Sequence, residues 1–373
     1  MRYCFVLPFF DEQQNSFSKL LAPLVKTLLE KGHEVAILSG NVQYQGPWAR
    51  FHHALHISLK GPAFLHFLLF IGQTTFWLWR NRQRFDVIHN LGIGSSLYQN
   101  VLTAHACHRA WLRVKWQNRQ YVSLFLNPLH LLVWAVETFN YRRPVPVIAV
   151  CQRLADEIAH YYPFAKDRLT VINNGVSPAP RTVPLPRSND FIISFASNDH
   201  RKKGLQELLD ALAMAHQESR PWKLWVLGND PKQGMWERYA ASKGLQDHVQ
   251  FKGHVTNIHD YFASSDVFCL PSHYEPFGLV YVEAAQTGIP VVGTAVGVYP
   301  DLVEGFSPIT PLPLPLKAHA LYLTLKRLAD QSELRSRMGQ HVQRQARLFS
   351  DQTMVDRQIV FYESLSLSKR KIP

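Results

Sequence analysis

The chain has 373 residues, 46% of them hydrophobic and 18% charged. That composition excludes a disordered chain, the length exceeds one ordinary core and fits two domains of similar size, and no internal repeat or low-complexity tract suggests a solenoid or fibre. The formal net charge of +12 is uneven: residues 1–175 carry 18 basic and 9 acidic side chains, and residues 176–373 carry 22 and 19. An anionic partner is therefore expected at the first half, and nucleic acid or an acidic membrane surface fits equally on charge.

Residues 3–7 form an apolar run that predicts a strand. Residues 16–30 carry Phe17, Leu20, Leu21, Leu24, Val25, Leu28 and Leu29 at helical spacing, ending before Gly32, which suits a left-handed cap. Residues 35–38 predict the next strand. Residues 64–79 are the most apolar stretch, but His66, Gln73, Thr74 and Thr75 interrupt it. It also falls short of the ~20 residues that span a bilayer, so no transmembrane helix is predicted. Further strands are predicted at 86–89, 100–104, 145–150 and 169–172, with a helix at 153–161. Fully apolar strands alternating with amphipathic helices imply a parallel sheet covered on both faces. Pro178, Pro180, Pro184 and Pro186 admit neither helix nor central strand and place a linker. A second alternating set follows, with strands at 191–195, 224–227, 249–251, 267–270 and 290–292, then a helical end from 316 to about 365. The expected organisation is 1–175, 176–348 and a C-terminal helix over 349–373 that packs back on the first domain. Ligands of such sheets bind at the carboxyl ends of strands, and the cleft between domains is the expected site.

Cys4, Cys107, Cys151 and Cys269 form no C-x-x-C pair, which reads as a reducing compartment. The apolar run before Asp11 and Glu12 is too short for a signal peptide. A cytoplasmic location is expected.

The sharpest local signal is Pro271-Ser272-His273-Tyr274-Glu275-Pro276-Phe277-Gly278-Leu279-Val280-Tyr281-Val282-Glu283-Ala284. An apolar strand ends at Leu270, and Pro276 sits where a helix could begin. The N–H groups that follow could hold an anion such as a diphosphate. Glu275 before the helix and Glu283 within it could accept hydrogen bonds from sugar hydroxyls. The alternative is that Glu275 caps the helix and Glu283 is a solvated charge.

This stretch resembles the E-x7-E signature of retaining glycosyltransferases of family 4, which have the two-domain GT-B fold. Ser197-Asn198-Asp199-His200-Arg201-Lys202-Lys203-Gly204-Leu205 resembles the basic Lys-Gly segment of that family, and Phe251-Lys252-Gly253-His254-Val255 resembles its nucleobase-facing loop. Residues 170–350 resemble the donor-binding domain and the first half matches more loosely. Within the family the arrangement is most similar to lipopolysaccharide-core glucosyltransferases. The resemblance implies an α/β fold of two doubly wound Rossmann-like domains facing across a cleft, acceptor domain first, with a helical C-terminal tail.

The resemblance also implies roles. Glu283 is expected to hold ribose hydroxyls, and Glu275 those of the donor sugar, with the backbone N–H groups of Phe277, Gly278 and Leu279 nearby. Lys203 is expected to meet the diphosphate, and His254 and Val255 the base. Many relatives carry an arginine six residues before that lysine; here Ser197 stands there, so Arg201 or Lys202 is expected to substitute. Three cations at a helix start oppose the helix dipole unless an anion binds. In the first domain, Thr103-Ala104-His105-Ala106-Cys107-His108 resembles the segment that carries a histidine beside the donor sugar, and His105 takes that place; His89 after its strand is a weaker candidate. His89, His105, Cys107 and His108 could hold a metal by residue type, but no Asp-x-Asp or zinc spacing supports one, so none is assigned. The glycine loop usual after the first strand is replaced by Phe9-Phe10-Asp11-Glu12-Gln13-Gln14-Asn15-Ser16, so acceptor contacts must differ, with residues 12–16 as candidates.

Between His108 and Arg143, basic residues (Arg109, Arg113, Lys115, Arg119, Arg142, Arg143) mix with Trp111, Trp116, Tyr121, Trp134 and Tyr141. Such mixtures suit an anionic membrane surface, single-stranded nucleic acid, or an ordinary helix with buried aromatics. The resemblance favours a membrane, because many acceptors of the family are lipid-linked glycans. The expected protein is thus a metal-independent retaining hexosyltransferase with no cofactor. It would take a UDP-sugar to a lipopolysaccharide-type glycan and sit peripherally on the inner face of the membrane without nucleic acid. The alternatives are a sugar-nucleotide epimerase and a non-catalytic glycan or membrane binder.

Overall fold

The apolar runs pair into two parallel sheets. The computed structural model describes residues 1–10, 16–40, 52–55, 63–117, 127–183, 185–187 and 189–370. The chain divides into one unit of residues 1–175 with 351–373 and a second of residues 176–350.

The first unit contains β1 (Arg2–Leu7), α1 (Ser16–Glu30), β2 (Glu34–Gly40), β3 (His52–Leu55), α2 (Ala63–Asn81), β4 (Val87–Leu91), β5 (Val101–Ala104), α3 (His108–Gln117), α4 (Leu129–Arg142), β6 (Val147–Ala149), α5 (Gln152–Tyr161) and β7 (Leu169–Val171). The strand order is β3-β2-β1-β4-β5-β6-β7, every pairing parallel. β1 shows why its sequence has no polar alternation. Tyr3, Phe5 and Leu7 enter the core with α1, and Cys4 and Val6 enter the core on the other face with Leu78 of α2. A strand buried on both faces is apolar except where a polar side chain finds a buried partner, as His89 and Asn90 do in β4.

The second unit contains β8 (Phe191–Ala196), α6 (Leu205–Gln217), β9 (Trp222–Leu227), α7 (Gln233–Ser242), β10 (Val249–Gly253), α8 (Ile258–Ala263), β11 (Val267–Leu270), α9 (Leu279–Gln286), β12 (Val291–Gly293), α10 (Ala318–Asp330) and α11 (Ser332–Ala346). Its sheet runs β10-β9-β8-β11-β12, again parallel. The final helix, α12 (Asp351–Arg370), returns to the first unit, where Met354, Val355, Ile359 and Tyr362 join the core under β1 and α1.

In the second sheet the chain order reverses between β8 and β11, which are adjacent although three elements of chain separate β8 from β10 alone. Open α/β sheets place ligands outside the carboxyl ends of strands at such a reversal. The segments leaving β8 and β11 are those that carry Lys203 and Glu275.

Candidate active site

Both segments are shaped by glycines whose backbone no other residue adopts easily. After β8 the chain makes a turn through residues 199–204, closed by bonds from the Lys203 N–H to the Asp199 carbonyl (3.1 Å) and from the Leu205 N–H to the His200 carbonyl (3.0 Å). Gly204 caps α6 with φ +78°. A Cβ there would overlap the Pro271 carbonyl oxygen, so the turn lies directly on the chain leaving β11. A backbone bond from the His273 N–H to the Lys202 carbonyl (2.9 Å) holds the two segments together, and His273 Nε2 also lies 3.1 Å from the Glu207 carboxylate of α6.

This docking joins residues 72 positions apart: the Lys203 ammonium donates to the Glu275 carboxylate, and both side chains are half-buried. Lys202 turns elsewhere, its Nζ 5.4 Å from the ring centre of Tyr274, and Arg201 is exposed. His200 is buried, and that burial lowers its imidazole pKa against the opposing pull of Asp230. The positive charge of the turn is therefore that of Arg201, Lys202 and Lys203.

The helix after Glu275 starts later than Pro276 suggests. Gly278 caps α9 with φ +89°, and α9 begins at Leu279. A Cβ on Gly278 would lie 2.6 Å from the Tyr281 ring and 2.9 Å from Glu275 Cγ, so the glutamate side chain runs across the head of the helix. The Phe277 carbonyl accepts from the Val298 N–H (2.8 Å) and fixes the approach. A helix leaves its first N–H groups without intrahelical acceptors and carries a positive dipole end there. Lys203, Glu275 and the head of α9 thus combine a cation, a hydrogen-bond acceptor and an anion-favouring helix end. Glu283 is half-buried within α9. His254 is exposed and Val255 half-buried after β10.

In the first unit, His105 follows β5 and lines a cavity of about 20 Å³ with Leu24, Leu91, Ile172 and Met354. Burial pushes its imidazole pKa down to about 4, so it is neutral at pH 7. His89 lies inside β4, not after it: its ring bonds Tyr362 Oη of α12 (2.6 Å) and Thr103 Oγ1 (2.7 Å). Both ring nitrogens are engaged, Nδ1 in tying α12 to the sheet and Nε2 in tying β4 to β5. Cys107 is buried and its thiol pKa is raised by burial. Among the described residues, no group of three or more His, Cys, Asp or Glu is placed to hold a metal ion. Residues 11–15 of the loop after β1, and Arg119 and Tyr121, lie outside the described residues.

The buried Glu137 of α4 has no counterpart in the sequence reading. Its carboxylate accepts from the His108 N–H (2.7 Å), the Arg109 N–H (3.3 Å) and the Tyr162 hydroxyl (2.5 Å), capping α3 from a position 29 residues away. The only signal is that Glu137 is the sole acid between Asp86 and Asp156.

The family model described as glycosyltransferase family 4 matches residues 19–179, and that described as glycosyl transferases group 1 matches residues 179–345. The chain belongs to the GT-B glycosyltransferases. It is 29% identical over 225 residues to the MMP alpha-(1->4)-mannosyltransferase of Mycolicibacterium hassiacum, covering 59% of this chain and 54% of that protein. It is 22% identical over 220 residues to the lipopolysaccharide glucosyltransferase WaaG of Escherichia coli, covering 55% of this chain and 59% of WaaG. The matches span about half the length of these curated relatives. A crystal structure of WaaG superposes with a TM-score of 0.77 at 17% identity, covering 95% of this chain and 97% of that one. Anabaena Alr3699/HepE in complex with UDP and glucose superposes with a TM-score of 0.71 at 18% identity, covering 98% and 99%. In this GT-B chain the region around Lys203, Glu275 and α9 falls inside the group 1 match.

Proposed function

We propose that the protein is a retaining glycosyltransferase that moves a hexose from a UDP-sugar to a membrane-linked glycan of the lipopolysaccharide-core type. The observation that carries this reading is the Lys203–Glu275 pair at the head of α9, outside the carboxyl ends of β8 and β11. A diphosphate placed there meets the helix end and Lys203, which stabilises the charge that grows on the leaving group. Arg201 and Lys202 add positive potential, so a metal ion is not needed. Glu283 accepts from the ribose hydroxyls and Glu275 from the sugar. HepE, which was crystallised with UDP and glucose, and WaaG, a lipopolysaccharide glucosyltransferase, support the choice of donor and acceptor class.

Glu275 is already the partner of Lys203, and a carboxylate engaged by an ammonium is a weak nucleophile. It is read as a hydrogen-bond acceptor that positions the sugar. Retention then comes from attack on the face that the diphosphate leaves, with a diphosphate oxygen taking the acceptor proton. The neutral His105 offers a hydrogen bond to a sugar hydroxyl without adding charge. The acceptor class also motivates peripheral docking on an anionic membrane through the basic and aromatic surface of the first unit. The test is incubation with a panel of nucleotide sugars, with and without core oligosaccharide and in EDTA, while nucleotide release is followed. Release from a UDP-hexose that requires acceptor and survives chelation is expected. Interconversion of the sugar without acceptor would mean an epimerase.

A further inference from the structure

The stretch over residues 64–79 forms α2, and no described helix is long and apolar enough to cross a membrane. Its inward face is nevertheless complete without the outward one. Phe70, Ile71, Thr74 and Leu78 are buried against the sheet. Leu65, Leu68, Leu69, Phe76 and Trp79 are exposed, Phe76 at 61% and Trp79 at 54%. At about 100° per residue these five and Gly72 fall within an arc of about 100°. The helix is therefore apolar on both sides, and one side meets solvent. α4 packs beside it and also turns apolar side chains to solvent: Leu131, Trp134 and Phe139 are exposed, while Val136, Glu137, Asn140 and Tyr141 are buried. Phe76, Trp79, Tyr98, Phe139 and Arg143 line a groove of about 470 Å³ that joins the two exposed faces. Isolated exposed apolar residues need no explanation, but a contiguous patch of this kind marks an interaction surface.

Charge selects the partner. Arg80, Arg82 and Arg84 are exposed at the end of α2, with Arg82 5.4 Å from the Trp79 ring centre, and Arg142 is exposed at the end of α4. Between Glu34 and Asp156 the only acids are Asp86 and Glu137. Asp86 pairs with Arg2, and Glu137 is buried under α3. The patch is thus apolar at its centre, aromatic at its edge and rimmed by arginine, and the stretch of chain that builds it brings only these two acids, both engaged, the composition of a surface lying in a bilayer interface.

We propose that the outward faces of α2 and α4 dock the first unit on an anionic bilayer, with α2 lying in the interface plane. This deepens the reading of a membrane-linked acceptor: within the stretch over residues 108–143 it keeps α4, adds α2, and leaves out α3, whose one exposed large hydrophobic side chain is Trp116.

The test uses the full chain and vesicles of phosphatidylcholine, alone or mixed with phosphatidylglycerol, with binding measured by sedimentation at low and high salt. The double variant Phe76→Asp/Trp79→Asp changes exposed side chains only and is expected to lose more than about tenfold in vesicle affinity. Arg82→Ser/Arg84→Ser is expected to lose about fivefold per arginine on anionic vesicles at low salt, and little on neutral ones. Arg113→Ser/Trp116→Asp on α3 is expected to bind like the parent. Calorimetric titration with UDP on every variant is expected to be unchanged, which separates loss of docking from failure of the donor-site reading. Vesicle binding of Phe76→Asp/Trp79→Asp equal to the parent, or loss confined to the α3 variant, overturns the proposal. So does a parent that self-associates without lipid, ignores vesicles and becomes monomeric in Phe76→Asp/Trp79→Asp, since the patch would then join copies of this chain.

Discussion

Changing Lys203 and Glu275 one at a time separates a structural ion pair from a donor site. Both side chains are largely shielded, at 18% and 10% exposure, so each charge leans on the other. A hydrogen bond between charged groups contributes about 1.5–3 kcal/mol, and water still reaches Lys203. Glu275→Gln keeps an acceptor and should cost about 1–2 kcal/mol. At about 2–4 °C per kcal/mol for a unit of this size, the melting temperature falls by about 2–8 °C. Lys203→Met should cost slightly more, because it strands a carboxylate. Stability alone treats the two alike, but ligand binding does not. If Lys203 meets the diphosphate, Lys203→Met loses about 10–150-fold in UDP affinity, the equivalent of one charged hydrogen bond. Glu275→Gln leaves Lys203 without its competing carboxylate, so UDP binds at least as tightly while turnover falls at least about tenfold. Differential scanning fluorimetry and calorimetric titration with UDP measure both effects. UDP affinity that drops equally in the two variants, or in neither, would refute the assignment and leave the pair as a structural contact.

Glu283→Ala should weaken UDP binding by about 1.5–3 kcal/mol with little change in melting temperature, read by the same titration. Gly204→Ala forces a left-handed backbone on a side-chain-bearing residue, at about 1–2 kcal/mol, and its Cβ meets the fixed Pro271 carbonyl; the second unit should melt lower and UDP affinity should fall with it. His89, buried between Tyr362 and Thr103, has its pKa pushed from 6.5 down to about 3 by burial and by neighbouring His105. The unfolded chain binds the proton first, so this stability is present above pH 6.5 and is lost as pH falls towards 3. At pH 5 the loss is about 2 kcal/mol, and urea unfolding at pH 7.5 and pH 5 should show His89→Asn less acid-sensitive than the parent.

The two sheets are legible in the sequence because strands such as β1 and β11 are buried on both faces and so contain no polar residue inside the core. The Lys203–Glu275 contact is not legible from periodicity: it needs the turn at 199–204 to lie on the chain after β11, which depends on the missing side chain of Gly204. The start of α9 at Leu279 is hidden for a similar reason, since Pro276 is a good first helical residue but Gly278 takes the left-handed capping position. α2 misleads because its two apolar faces have different fates, and composition does not distinguish a buried face from an exposed one. His89 looks like a reactive group in sequence and Glu137 draws no notice there, yet each holds a distant helix in place, His89 through Tyr362 and Glu137 through the amides that open α3.

The central claim is tested most directly by the anomeric configuration of the transferred sugar. A UDP-hexose that supports turnover should be incubated with core oligosaccharide and the new linkage examined by proton NMR during the reaction. The account predicts an α-linked product from an α-configured donor, formed in step with UDP. A β-linked product, or a donor altered in its sugar with no transfer to acceptor, would contradict it.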